Sequence, residues 1–230
     1  MQGVEMVLFR VLIVIGVLGF NISYGQGKDG AGLGEVSVSG IKALAILQIL
    51  NANLLASKSA TKTLQIWCAD HQMAAIPKII ALRDTQAFKE ADGEVRALLK
   101  VSDDEKILYR KVQLACGERV LSQADNWYVP SRLTDDMNIR LTQTNTPFGI
   151  AVEQLNFHRQ TESATLLWNP LPQDWEQRKR SANDDFTDLN IPDLVLQHRA
   201  VLLSDKNIPF SLVIETYTKA IFPDSAWKSR

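Results

Sequence analysis

The segment that decides the fold is ILYRKVQLACGERVLSQADNWYV, residues 107–129. Its first part, Ile107 to Ala115, alternates apolar and polar side chains with the period of two that marks a β-strand. Val120 to Val129 continues as a second strand, and the Cys116-Gly117-Glu118-Arg119 step between them supplies a tight turn. The two runs therefore predict an antiparallel hairpin, which Pro130 ends because proline cannot donate to a ladder.

Outward from the hairpin, Ile79 to Leu82 predicts an earlier strand. Leu194 to Leu203 and Phe210 to Tyr217 predict a closing hairpin around SDKNIP. Ile150 to Arg159 and Thr161 to Trp168 also read as strand-like, and the charged stretch from Phe88 to Lys100 supports no assignment. Leu44, Leu47, Leu50 and Leu54 recur at helical spacing, and a second helix is expected from Ser59 or Thr61 to about His71. Thr134 to Leu141 forms a short helix with Thr134 as its N-cap, and TNTPFG (144–149) a turn. The segment 169–193, rich in charge, proline and Asn/Asp, reads as a long exposed loop. Segregated helices and antiparallel strands make the fold class α+β, an antiparallel sheet with helices packed on one face.

The N-terminus has a separate character. Val11 to Phe20 is an uncharged apolar run of ten residues, about 15 Å of helix, too short to span a bilayer and suited to a signal-peptide core. Ser23 and Gly25 are small residues at the positions a signal peptidase reads, so residues 1–25 are expected to be removed on export to the periplasm or outside, with no stable membrane insertion afterwards. Residues 26–40, with five glycines, read as a flexible leader to a single domain over 41–230. The chain carries a formal net charge of −1 and a pI near 6.3, which does not favour a nucleic-acid partner. Cys68 and Cys116 lie in partly apolar contexts that suit buried free thiols, with pairing in an oxidising compartment as the alternative. No metal-ligand spacing, phosphate loop or serine-hydrolase motif is present, so neither metal nor cofactor is expected.

Four polar residues interrupt otherwise apolar strands: Arg110, Asn126, Arg199 and Glu215. Alternation puts Leu108, Arg110, Val112 and Leu114 on one face of their strand, and Val213, Glu215 and Tyr217 on one face of theirs. A charge in such a row is costly unless paired, either with an opposite charge on a neighbouring strand or with a ligand. Guanidinium binds carboxylate bidentately, and a buried carboxylate accepts a hydrogen bond from a ligand hydroxyl. At Pro147-Phe148-Gly149 the backbone can present a free N–H to an anion, with Phe148 covering a ring.

At YRKVQLACGERVLSQADNWYVP (109–130), the TNTPFG turn and HRAVLLSDKNIPFSLVIETYT (198–218), the chain resembles the chorismate lyase family, from about Asn51 to Phe222. The resemblance implies that Arg110 and the Phe148 N–H hold the carboxylate of an aromatic ring, with Glu215 at the ring hydroxyl or the departing enolpyruvyl ether. Asn126 and Arg199 would complete the ligand site. It implies elimination of pyruvate from chorismate to leave 4-hydroxybenzoate, without metal or cofactor, with Arg110 and Glu215 as the catalytic pair. The chain departs from the family where Asn126 stands in place of an arginine and Phe148 in place of a leucine, and in its export signal. The lost charge at Asn126 and the export signal point to the alternative, an exported domain that binds a small aromatic carboxylic acid such as 4-hydroxybenzoate.

Overall fold

The computed structural model describes residues 36–179 and 189–226. At its centre is the hairpin of β2 (Leu108–Cys116) and β3 (Arg119–Tyr128). Gly117 turns the chain at φ +57°, where a side chain would be strained and would meet Ala74. Strand β1 (Ile79–Asp84) pairs with the outer edge of β2. On the far side, β4 (His158–Leu166), β5 (Leu194–Leu203) and β6 (Pro209–Thr218) complete one six-stranded sheet in the order β1-β2-β3-β6-β5-β4, every pair antiparallel. The α+β class read from the sequence is the class found. The described residues belong to one compact unit, 34–230.

Helix α1 (Val38–Ala56) begins at Ser37, whose hydroxyl accepts from the Gly40 N–H at 2.9 Å. Its Leu47, Leu50 and Leu54 side chains pack with Leu64 and Trp67 of α2 (Ala60–Asp70) against Val112, Leu114, Val213 and Tyr217. Ser57 closes α1 in extended conformation, and Ser59 caps α2 by accepting from Lys62 N–H. Helix α4 (Asp135–Gln143) starts at Thr134 as expected, with Asp135 and Asp136 favourably placed in its first turn. With the short α5 (Phe148–Ala151) it covers Tyr128, Leu202 and Phe210. These four helices share one face of the sheet. Helix α3 (Gly93–Leu99), capped by Asp92 in the charged stretch that sequence left open, lies on the other face with Trp127, Val201 and Leu212.

Several expectations need correction. The leader ends earlier than residue 40. Val36 N–H bonds Lys179 O at 2.9 Å, Ser37 caps α1, and Gly40 is buried where a Cβ would stand 2.8 Å from Leu171. Glycine there permits close packing, not flexibility. The 150–157 segment is not a strand, because the turn at Pro147 starts α5, and a 3-10 turn at Glu153–Leu155 follows. Buried Val152 and Phe157 anchor that stretch, and β4 begins only at His158. Cys68 and Cys116 are not free thiols: the end of α2 brings Cys68 to the end of β2, Cα–Cα 6.3 Å, and the two are joined as a disulfide. The export signal at 1–25 and most of the leader lie outside the described residues, as does 180–188 of the long loop.

Candidate functional site

Register fixes which side chains meet above the helix-covered face. Arg110 pairs with Asn126, and Asn126 with Val213; Val112 pairs with Ala124, and Ala124 with Glu215. All six therefore point the same way, toward α2 and α5. Between sheet and helices they line a hollow with about 490 Å³ of non-atom space, its open mouth included. Lys58, Ser59 and Thr61 at the start of α2, with Phe148 and Gly149 at the start of α5, form its other wall. Gly149 packs closely at this contact, where a Cβ would lie 2.8 Å from Ser59 Oγ, the oxygen that caps α2.

Arg110 is 6% exposed. Its Nε donates to Leu141 O at 3.2 Å and its Nη2 to Thr146 O at 2.9 Å, so the ends of α4 and of the TNTP turn clamp the guanidinium. Nη1 is buried without a partner, and among the described residues no carboxylate pairs with this cation. Burial, assisted by the nearby Arg83 charge, lowers its pKa to about 10, which leaves it cationic at neutral pH. Asn126 is buried beside it, its Oδ1 accepting from the Ser211 hydroxyl at 2.8 Å; the amide NH₂ is its remaining donor.

Glu215 is also buried, but it is engaged. Arg159 Nη1 lies 2.7 Å from its Oε2, and the Tyr217 hydroxyl donates to the same oxygen at 3.2 Å. The Arg159 side chain is 4% exposed; burial works against its charge, and Glu215 and Tyr217 more than restore it, so its pKa rises. Nε and Nη2 of Arg159 are buried without partners. Tyr217 is held far above the usual phenol range, first by burial and then by the Glu215 charge.

The structure thus brings Arg110, Asn126, Phe148 and Glu215 to one hollow and leaves Arg199 out. Arg199 pairs across the ladder with Ile214, on the opposite face, and its Nη1 bonds Glu94 of α3 at 2.9 Å. Arg159 was missed, because HRQTESATL carries polar residues at nearly every position and nothing marks one of them as buried. The available signal was Glu215 itself, since a buried carboxylate calls for a cation, and Arg159 lies on a hydrophilic strand two places across the sheet.

No protein-family model matches the chain. Among solved structures, the chain is similar to the possible transcriptional regulator YydK from Bacillus subtilis (14% identical, 60% of this chain and 57% of that one, TM-score 0.37). It is also similar to PhnF from Mycobacterium smegmatis (12% identical, 72% of this chain and 65% of that one, TM-score 0.44). The chain spans less than two thirds of either, and no residue role transfers at these values. A curated relative is much nearer: the uncharacterized protein y4mC of Sinorhizobium fredii is 46% identical over 185 residues, 80% of this chain and 78% of that protein. By that identity and coverage, the chain belongs to the family of y4mC.

Proposed function

We propose that this is an exported domain that binds a small aromatic carboxylic acid in the hollow beneath the starts of α2 and α5. The observation that carries the reading is Arg110, a buried cation with an unpartnered Nη1 and, among the described residues, no carboxylate partner. An uncompensated buried charge costs several kcal/mol, and a ligand carboxylate removes that cost while making charge-assisted hydrogen bonds. Phe148 and Phe157 supply aromatic walls for a ring. Export is supported by the Cys68–Cys116 bridge, because disulfides persist in oxidising compartments.

Elimination of pyruvate from chorismate is the second reading, and the presence of Arg110 and Glu215 in one hollow favours it. Against it stands the engagement of Glu215 Oε2 by Arg159 Nη1 and the Tyr217 hydroxyl, which leaves that oxygen already occupied.

The test is calorimetric titration of the mature protein with benzoate and 4-hydroxybenzoate, alongside incubation with chorismate under an absorbance assay for 4-hydroxybenzoate. Binding without turnover is expected. Arg110→Met should weaken benzoate by at least about 30-fold, the loss of one buried charge pair. Unchanged affinity in that variant rules out the site, and accumulation of 4-hydroxybenzoate replaces binding by lysis.

A further inference from the structure

On the carboxylate-binding reading above, we infer that Ser211 is a positioning residue of the site, although it does not itself line the hollow. Its hydroxyl turns the Asn126 amide so that the nitrogen, and not the oxygen, faces the ligand.

Strand β6 begins PFSLVIET, and Ser211 stands on the face that carries Val213 and Glu215 two and four residues later. Register sets it between Tyr128 of β3 and Leu202 of β5. A hydroxyl buried there needs a partner, and among the described residues that partner is Asn126 Oδ1, to which it donates at 2.8 Å. Stability does not ask for this pair. Two buried polar groups that satisfy each other can be replaced by apolar groups of the same shape at little cost. What the pair leaves over is the Asn126 amide nitrogen, a donor without an acceptor among the described residues, on a side chain that lines the hollow.

The orientation matters because of Arg110. Arg110 and Asn126 are direct partners across the β2–β3 ladder and share a face. An amide turned the other way would aim its oxygen into the hollow, where the buried Arg110 Nη1 has no partner. Asn126 would then supply the acceptor that the guanidinium lacks, and the site would satisfy itself. The Ser211 proton has no other acceptor among the described residues, so it holds Oδ1 on the β6 side and keeps Nη1 open. Two donors from adjacent strands, Arg110 Nη1 and the Asn126 amide, are thereby left for one ligand carboxylate.

Calorimetry with benzoate on the full chain tests this through a double-mutant cycle. Asn126→Leu should weaken benzoate about tenfold, the effect of one hydrogen bond to a charged acceptor. Ser211→Ala should weaken it comparably, although Ser211 touches no ligand. In the Asn126→Leu background, Ser211→Ala should cost less than about twofold, because the hydroxyl then has nothing to orient. Wild-type affinity in Ser211→Ala, or losses that multiply in the double variant, would overturn the inference; the carboxylate reading stands in that case if Arg110→Met still loses benzoate. NMR separates positioning from a merely structural role. The side-chain NH₂ resonances of Asn126, assigned by their absence from Asn126→Leu, should shift when benzoate saturates the wild type. No shift also overturns the inference, so a Ser211→Ala protein that fails to fold does not shelter it. If benzoate does not bind the wild type, or binds Arg110→Met equally well, the site reading falls and this inference falls with it.

Discussion

His198 shows how far a single side chain can bind stability to pH. It is fully buried on β5 directly across from Glu215, with its ring edge on Tyr217. Its Nε2 meets Asn51 Oδ1 at 2.8 Å, and Nδ1 has no partner. Burial, reinforced by the Arg159 charge and partly offset by Glu215, lowers its pKa from 6.5 to about 4. Between these values the unfolded chain binds a proton that the folded chain refuses. The stabilisation is therefore complete above about pH 6.5 and is lost as pH falls toward 4, by on the order of 3 kcal/mol. Urea unfolding at a series of pH values should show this slope, and His198→Leu should flatten it. An unchanged slope in the variant would mean that other groups carry the acid sensitivity.

Among the elements, α2 is held at both ends. Cys68 near its C-terminus is bonded to Cys116 of β2 across a sequence separation of 48, and its N-terminus borders the hollow with Gly149 packed on Ser59. Closing a loop of that length in the unfolded chain contributes about 4 kcal/mol by the chain-entropy relation. Cys68→Ala/Cys116→Ala, or reduction of the wild type, should lower the free energy of unfolding by up to that amount in urea titrations. Weaker ligand affinity should accompany it, because one wall of the site loses an anchor. Alkylation of the protein recovered from its native compartment should label neither thiol before reduction; free labelling would count against export.

For the whole molecule, the sheet presents one face to α1, α2, α4 and α5, and places its costly residues where that cover leaves a hollow. Stability and binding are coupled there. A ligand at 100 times its dissociation constant stabilises by about 2.7 kcal/mol, equivalent to a rise of roughly 5–10 °C in Tm for a domain of this size. Benzoate should give such a rise in thermal melts of the wild type and none in Arg110→Met. Without ligand, Arg110→Met should melt no lower than the wild type, since it removes an unpaired buried cation along with two hydrogen bonds. A large drop would mean that Arg110 is there for the fold, not for a ligand.

Alternation along each strand was sufficient to place Leu108, Arg110, Val112 and Leu114 on one face, and Val213, Glu215 and Tyr217 on one face, and Thr134 marked a helix start as its cap. Those features are local: a period of two and a hydroxyl near three amides are written in consecutive residues. Which polar residue meets which was not local. Arg159 reaches Glu215 only because β5 separates β4 from β6, Arg199 turns instead to Glu94 of α3, and Cys68 finds Cys116 only once α2 lies along the sheet. Those partnerships depend on strand order and register between distant stretches of chain, so the tertiary structure alone decided them.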